Sequence, residues 1–233
     1  MKDSFLNRRF KYTYSNACIY IILANVLVFF LTQFTSISFM GMSLQGWLGM
    51  VPSLVSKGWV WQLFTYMFVH GNFMHLFFNM FALFMFGMSL ERYIGTREFL
   101  LYYFLCGFLG GVICYVFYLI QGSPTFLIEG GHIYYLVGTG NPVLVMGASG
   151  SIYALLFLCA VLFPNARLLF FFFIPMKMPI AVMIYIAIEV FSQVFGVSDG
   201  VSHLIHLSSI AVGWLYVMIR LRMNPITIWK ENL

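Results

Sequence analysis

Six apolar runs, at about 17–34, 75–90, 99–120, 149–163, 179–195 and 205–221, follow one another through this chain with hardly a charged residue inside them. Each approaches the ~20 residues that a helix needs to cross the hydrocarbon core of a bilayer. Lipid offers no partner to a free backbone N–H or C=O, so runs of this kind must satisfy their own hydrogen bonds as helices. Water is not an alternative solvent. Of the 233 residues 62% are hydrophobic and only 8% charged, and no soluble fold of this length buries so much apolar surface. The expectation is an all-α membrane protein of six transmembrane helices, a single domain over residues 1–233 within the lipid bilayer.

Charge sets the orientation. With the N-terminus cytoplasmic, the inside segments carry Lys2, Arg8, Arg9, Lys11, Arg92, Arg97, Arg167, Lys177, Arg220, Arg222 and Lys230, and the outside ones only Lys57. That is the asymmetry of the positive-inside rule, and six spans return the C-terminus to the cytoplasm. The same dispersal over short loops argues against nucleic acid as a partner, despite a net charge of +5. The basic N-terminal stretch runs into the first apolar segment with no small-residue cleavage site, which reads as a retained anchor. Cys18, Cys106, Cys114 and Cys159 all fall in apolar segments without metal-ligand spacing and read as small hydrophobes.

Two connections are long. Residues 35–74 hold Trp47, Trp59 and Trp61 among glycines, suited to the membrane interface. Residues 121–148, with Gly122, Pro124, Gly130, Gly131, Gly138, Gly140 and Pro142, read as loop. Pro175 and Pro179 around Lys177 keep the stretch from Asn165 to Lys177 from being a span. No internal repeat is evident, which weighs against an inverted-repeat transporter.

Polar groups stand out against this background. Ser149 lies in Gly147-Ala148-Ser149-Gly150, His75 and Asn79 in HGNFMHLFFN, and His206 in SHLIHLSSIAVG. Polar side chains inside a membrane are costly, so each is a functional hypothesis. Ser149 precedes Asn165 by sixteen residues, His75 precedes Glu91 by sixteen, and His206 precedes Arg220 by fourteen. At ~1.5 Å per residue all three stand roughly 21–24 Å above the cytoplasmic face. A hydroxyl, a base and donors for an oxyanion at one depth are the parts of nucleophilic hydrolysis. Ser149 opens a helix, where its N–H is unpaired. His206 is the candidate base, and His75 and Asn79, four residues apart, share a helix face and can both donate. Gly147 and Gly150 allow close backbone approach and unusual dihedrals. Tyr153, one turn after Ser149, can stack on the imidazole. For a third member, Asp199 or Glu189 can orient the histidine, but a Ser-His dyad is the simpler proposal.

Taken singly, each feature has a plainer explanation. Gly-x-Ser-Gly is commonly a packing motif, a lone histidine or Asn79 can bridge helices, and Gly107, Gly110, Gly111 and Gly213 are close-packing positions. His70, His132 and His203 fall in or near outer loops and read as interfacial, and Glu189 reads as half of a structural pair. Conjunction at one depth is what lifts the set.

The segment Trp61-Gln62-Leu63-Phe64-Thr65-Tyr66-Met67-Phe68, with His70 and His75-Leu-Phe-Phe-Asn79, resembles the signature of the rhomboid family of intramembrane serine proteases. So do Glu91 and Gly95, Gly147-Ala148-Ser149-Gly150 with Tyr153, His206 with Gly213, and the Asn25-Val26-Leu27-Val28-Phe29 run; the likeness extends over roughly 20–221. It implies Ser149 as nucleophile and His206 as base, with His75, Asn79 and the Ser149 amide as oxyanion hole. Tyr153 would support His206, and His70 would belong to the surrounding hydrogen bonds. It further implies transmembrane protein substrates cut near the outer boundary, and neither metal nor cofactor. Two positions depart from the pattern: Gln62 where many members have Arg, and Ser209 where many have Gly. A catalytically silent rhomboid-like protein that binds membrane helices is the first rival, and a transporter the second. The compactness of the chain and the lack of a targeting presequence suggest a bacterial cytoplasmic membrane.

Overall fold

The computed structural model describes residues 10–35, 37–39, 41–122, 126–129, 132–135, 143–170, 173–196 and 202–233. Seven helices carry the architecture: α1 (Ala17–Phe34), α2 (Phe73–Ile94), α3 (Thr96–Gln121), α4 (Ser149–Leu162), α5 (Met178–Phe195), α6 (His203–Leu221) and the short α7 (Pro225–Asn232). Five of them, α1, α2, α3, α5 and α6, are long and apolar enough to cross a membrane. Helix α4 has 14 residues, or about 21 Å, shorter than the ~30 Å thickness of a hydrocarbon core. It lies at the centre, with Gly150 to Val161 buried except Tyr153. Being hydrophobic all round, it is suited to that position.

The centre is built on small residues. A Cβ on Gly110 of α3 would come within 2.2 Å of Ser209 Oγ on α6, and one on Gly150 of α4 within 2.7 Å of the same oxygen. Ser209, fully buried, therefore occupies space that two glycines leave open, and the helices approach as closely as a hydroxymethyl group allows. Tyr102 of α3 donates its hydroxyl to the Ala154 carbonyl (2.8 Å) and Ser151 donates to the Tyr103 carbonyl (2.9 Å), pinning α4 to α3 along its length.

Charged groups fasten the helix ends. Glu91 accepts from the Ala17 and Cys18 amides at 2.8 and 2.9 Å and from the Thr96 hydroxyl at 2.6 Å. A carboxylate at the positive end of α1 satisfies donors that the helix leaves open. Gly95, at φ 84°, turns the chain sharply between α2 and α3. Glu98 takes Arg220 in a two-pronged contact (Nε to Oε1 2.5 Å, Nη2 to Oε2 2.9 Å), tying the start of α3 to the end of α6.

The connections hold more structure than their composition suggests. In the first, Trp47, Trp59 and Trp61 stack with centroids 4.5–5.4 Å apart. Gln62 is fully buried there, donating to the Gly46 and Trp47 carbonyls (3.0 and 3.2 Å) and accepting from the Val51 amide (3.0 Å). The neutral amide meets these partners without bringing a charge into the interior. Among the described residues there are three two-stranded antiparallel pairs: Ser38–Phe39 with Met42–Ser43, Phe126–Glu129 with His132–Tyr135, and Arg167–Phe170 with Ile174–Lys177. The second corrects the reading of 121–148 as loop throughout; two strand-forming tetrapeptides flank Gly130-Gly131, itself a hairpin signal. Pro124, Gly130, Gly131, Gly138, Gly140 and Pro142, like Lys2, Arg8, Arg9 and Asp199, lie outside the described residues.

Candidate active site

Ser149 is the first residue of α4, and the strand-like segment before it is clamped from both sides. Met50 and Val145 exchange backbone hydrogen bonds of 2.9 Å, and the Gly147 amide donates to the Tyr66 carbonyl at 2.9 Å. Gly147 has φ 117°, a conformation that disfavours any side chain. A Cβ there would stand 2.8 Å from His75 Nε2, so the missing side chain is what lets the imidazole reach the serine loop.

The serine and histidine singled out in the sequence stand side by side. Ser149 Oγ lies 2.7 Å from His206 Nε2, joining the start of α4 to the first turns of α6. The Tyr153 ring stacks on His206 with centroids 4.2 Å apart and planes 11° from parallel, which fixes the imidazole plane. His206 is 5% exposed while Ser149 is partly open, so the imidazole is shielded and the hydroxyl reachable.

On the opposite side stands α2. Its N-cap is Asn72, whose side chain accepts from the His75 amide at 2.8 Å. His75 Nδ1 accepts a long hydrogen bond from the Gly71 amide (3.5 Å). That leaves the ring proton on Nε2, the atom that faces Gly147. Asn79 donates one amide hydrogen to the His75 carbonyl at 2.8 Å, which anchors the side chain and leaves its second hydrogen to give. Ser149, at a helix N-terminus, adds its own N–H. Of the three expected donors, His75 Nε2 faces the serine loop that supplies the Ser149 N–H, and Asn79 stands one turn further along α2.

Two histidines expected at the interface are interior. His70 is fully buried with its ring set edge-on to His75 at 4.9 Å, and burial, reinforced by that neighbour, holds it at about 3, so it is neutral. His203 is buried too, with Nδ1 2.7 Å from Glu189 Oε2. Glu189, on α5, also accepts the Tyr153 hydroxyl at 2.5 Å and brings Oε1 to 3.0 Å from His206 Nδ1. Of the two acids able to orient the base, Glu189 is therefore beside it, on its far edge from Ser149. The signal that marked Glu189 was its cost in a membrane helix; the sequence carried no indication that His203 shared it.

A cavity of about 630 Å³ opens between α2 and α5, lined by Phe81, Met85, Phe86, Tyr153, Leu156 and Tyr185 among others. Tyr153 belongs both to this apolar cavity and to the stack on His206.

The family model described as "Rhomboid domain" matches residues 57–223. Among curated proteins, "RHOMBOID-like protein 12, mitochondrial" of Arabidopsis thaliana is 32% identical over 157 residues, 65% of this chain and 45% of that protein. "Rhomboid-like protease 1" of Toxoplasma gondii is 37% identical over 62 residues, 27% of this chain and 21% of that protein. "Rhomboid protease GluP" of Bacillus subtilis is 34% identical over 92 residues, 40% of this chain and 18% of that protein. The chain spans less than half the length of each of these relatives.

Proposed function

Because the chain belongs to the rhomboid family, an integral membrane family, we propose that it is an intramembrane serine endopeptidase that cuts transmembrane protein substrates with a Ser149–His206 dyad. The observation that carries this reading is the 2.7 Å contact between Ser149 Oγ and His206 Nε2, with the imidazole stacked on Tyr153. Ser149 attacks the scissile carbonyl while its proton passes to His206 Nε2. Negative charge then develops on the carbonyl oxygen, where His75 Nε2–H, the free Asn79 amide hydrogen and the Ser149 N–H receive it. His206 returns the proton to the leaving amine, and water repeats the sequence on the acyl-enzyme. His70, neutral and edge-on to His75, supports that ring. The apolar cavity between α2 and α5 suits an unwinding substrate helix arriving from lipid.

In this proposal the chain is one domain over residues 1–233, both termini are cytoplasmic, and α4 with the five longer helices makes six crossings, the active site lying near the outer face. The setting we favour is a bacterial cytoplasmic membrane, in line with the Bacillus subtilis relative; the Arabidopsis relative carries a mitochondrial name.

The test is cleavage of a single-span substrate by the purified protein in liposomes, with Ser149→Ala beside it. Wild-type cleavage that Ser149→Ala abolishes supports the proposal. A silent binding protein would retain the substrate uncut in both, and a transporter would move a solute regardless of the hydroxyl.

A further inference from the structure

Glu189 is 4% exposed on a membrane helix, an expensive place for a carboxylate, and its partners account for it. Oε2 meets His203 Nδ1 at 2.7 Å, Oε1 accepts from Tyr153 at 2.5 Å, and the same Oε1 lies 3.0 Å from His206 Nδ1. Resting on the dyad proposed above, we infer that Glu189 is a positioning residue for His206, extending the pair to Ser149–His206–Glu189 across α4, α6 and α5. His206 can accept the serine proton at Nε2 only while its own proton sits on Nδ1, and a carboxylate oxygen at Nδ1 favours that tautomer. The contact has ion-pair distance but is off the line of an aligned hydrogen bond, so its main effect is on charge. When Ser149 gives up its proton, His206 becomes an imidazolium, and in a low-dielectric interior an adjacent carboxylate stabilises it strongly. The charge balances: one negative charge resides on Glu189 beforehand, and afterwards Glu189 and the oxyanion flank one positive ring.

Tyr153 has two tasks in this arrangement. Its ring covers one face of His206 while its hydroxyl holds the carboxylate at the ring's edge, so a single side chain on α4 sets both. His203, one turn before His206 on α6, fixes the other carboxylate oxygen and stops it from rotating away. Glu189, His203 and His206 also have the composition of a metal site. Their spacing is that of hydrogen bonds: nitrogen and oxygen stand 2.7 and 3.0 Å apart, whereas ligands of one tetrahedral zinc stand about 3.3 Å apart.

The experiment compares wild type, Glu189→Gln, Glu189→Asp and Ser149→Ala in liposomes, reading kcat and KM across pH 5.5–9, labelling of Ser149 by a fluorophosphonate, and the thermal midpoint. The groups facing His206 are Ser149 and Tyr153 from α4, Glu189 from α5, His203 from its own helix and His75 from α2, and the Glu189 variants alter only one of them. The expected result is a kcat about 10²-fold lower in Glu189→Gln, with KM nearly unchanged and slower labelling. The acid limb of its profile should move to lower pH, because the imidazolium has lost its counter-charge, and Glu189→Asp should recover part of the rate. Wild-type kcat and an unmoved limb in Glu189→Gln overturn the inference, as does a rate loss that vanishes once temperature is matched to each midpoint. So does activity that a chelator removes and zinc restores, which makes the cluster a metal site. Cleavage by Ser149→Ala instead fails the dyad beneath it.

Discussion

The protein holds two buried carboxylates in closely similar settings but with different partners. Glu189 and Glu98 are 4% and 3% exposed, each accepts a tyrosine hydroxyl (Tyr153 and Tyr216), and each faces a nitrogen base on α6. At Glu98 the base is the guanidinium of Arg220, gripped by both oxygens. At Glu189 it is a pair of imidazoles. Arginine never surrenders its proton, so the Glu98 pair is a fixed clasp between α3 and α6. Histidine exchanges its proton near neutral pH, so the same scaffold at the other end of α6 can host chemistry. On the proposed reading, one helix thus carries a permanent cation where rigidity is needed and a switchable one where a proton must move.

The sharpest way to break this contrast is to make the two ends alike. His206→Arg would give Glu189 the permanent partner that Glu98 has, with no acceptor left for the Ser149 proton. We expect cleavage to fall at least ~10³-fold, the order of loss when a nucleophile's base is removed. Assay of that variant in liposomes, alongside its thermal midpoint, decides the matter. Retention of a tenth of wild-type activity in a folded variant would mean that His206 is not the base.

The converse change should leave chemistry in place and weaken the fold. Arg220→Ala strands Glu98 as an uncompensated buried charge, at a cost of about 3 kcal/mol. Unfolding in detergent should shift accordingly, while activity per folded molecule at a permissive temperature stays within a few-fold of wild type. A large loss of kcat in the folded fraction would show that the two clusters communicate along α6.

These two clusters also mark what could be read beforehand. Apolar runs, the glycines and the four residues Ser149, His206, His75 and Asn79 were legible because each is a departure from, or a regularity of, the lipid-facing composition. Counting from polar markers placed Ser149 and His206 at one depth, and they are 2.7 Å apart. Pairing was not legible. Nothing in the spacing says that Glu98 finds Arg220 across 122 residues, or that Glu189 faces α6 rather than another helix, since both depend on how α3, α5 and α6 rotate against each other. The burial of His70 and His203 escaped for the same reason: near a helix start, residue position alone does not tell interface from interior. The short α4 matches the 149–163 run to within a residue, and burial along most of its surface rather than length explains its stability.

A third prediction concerns His70, the histidine whose neutrality the interior enforces. Burial holds it at about 3, against an unfolded value near 6.5. Between those values the unfolded chain takes up a proton that the folded protein refuses. The stabilisation is therefore complete above about pH 6.5 and is lost as pH falls, by on the order of 1–2 kcal/mol down to pH 5. Thermal midpoints at pH 7 and 5 should differ in wild type, and the difference should shrink in His70→Gln. An equal shift in both would assign the acid sensitivity to another group.

The smallest effect expected is at Ser209, and it tests whether the contact of α3, α4 and α6 is set by volume or by polarity. The hydroxyl is buried between Gly110 and Gly150 and finds no hydrogen-bond partner among the described residues. A buried hydroxyl left unsatisfied costs stability, whereas its shape alone does the packing. Ser209→Ala should accordingly unfold at the same or a slightly higher temperature, by no more than about 1 kcal/mol, with cleavage unchanged. A clear drop in the midpoint would mean that the hydroxyl has a partner in the bilayer. A larger residue such as Val has no room beside glycines whose Cβ positions already lie 2.2 and 2.7 Å from the oxygen, and Ser209→Val should separate α6 from α4 and with it His206 from Ser149.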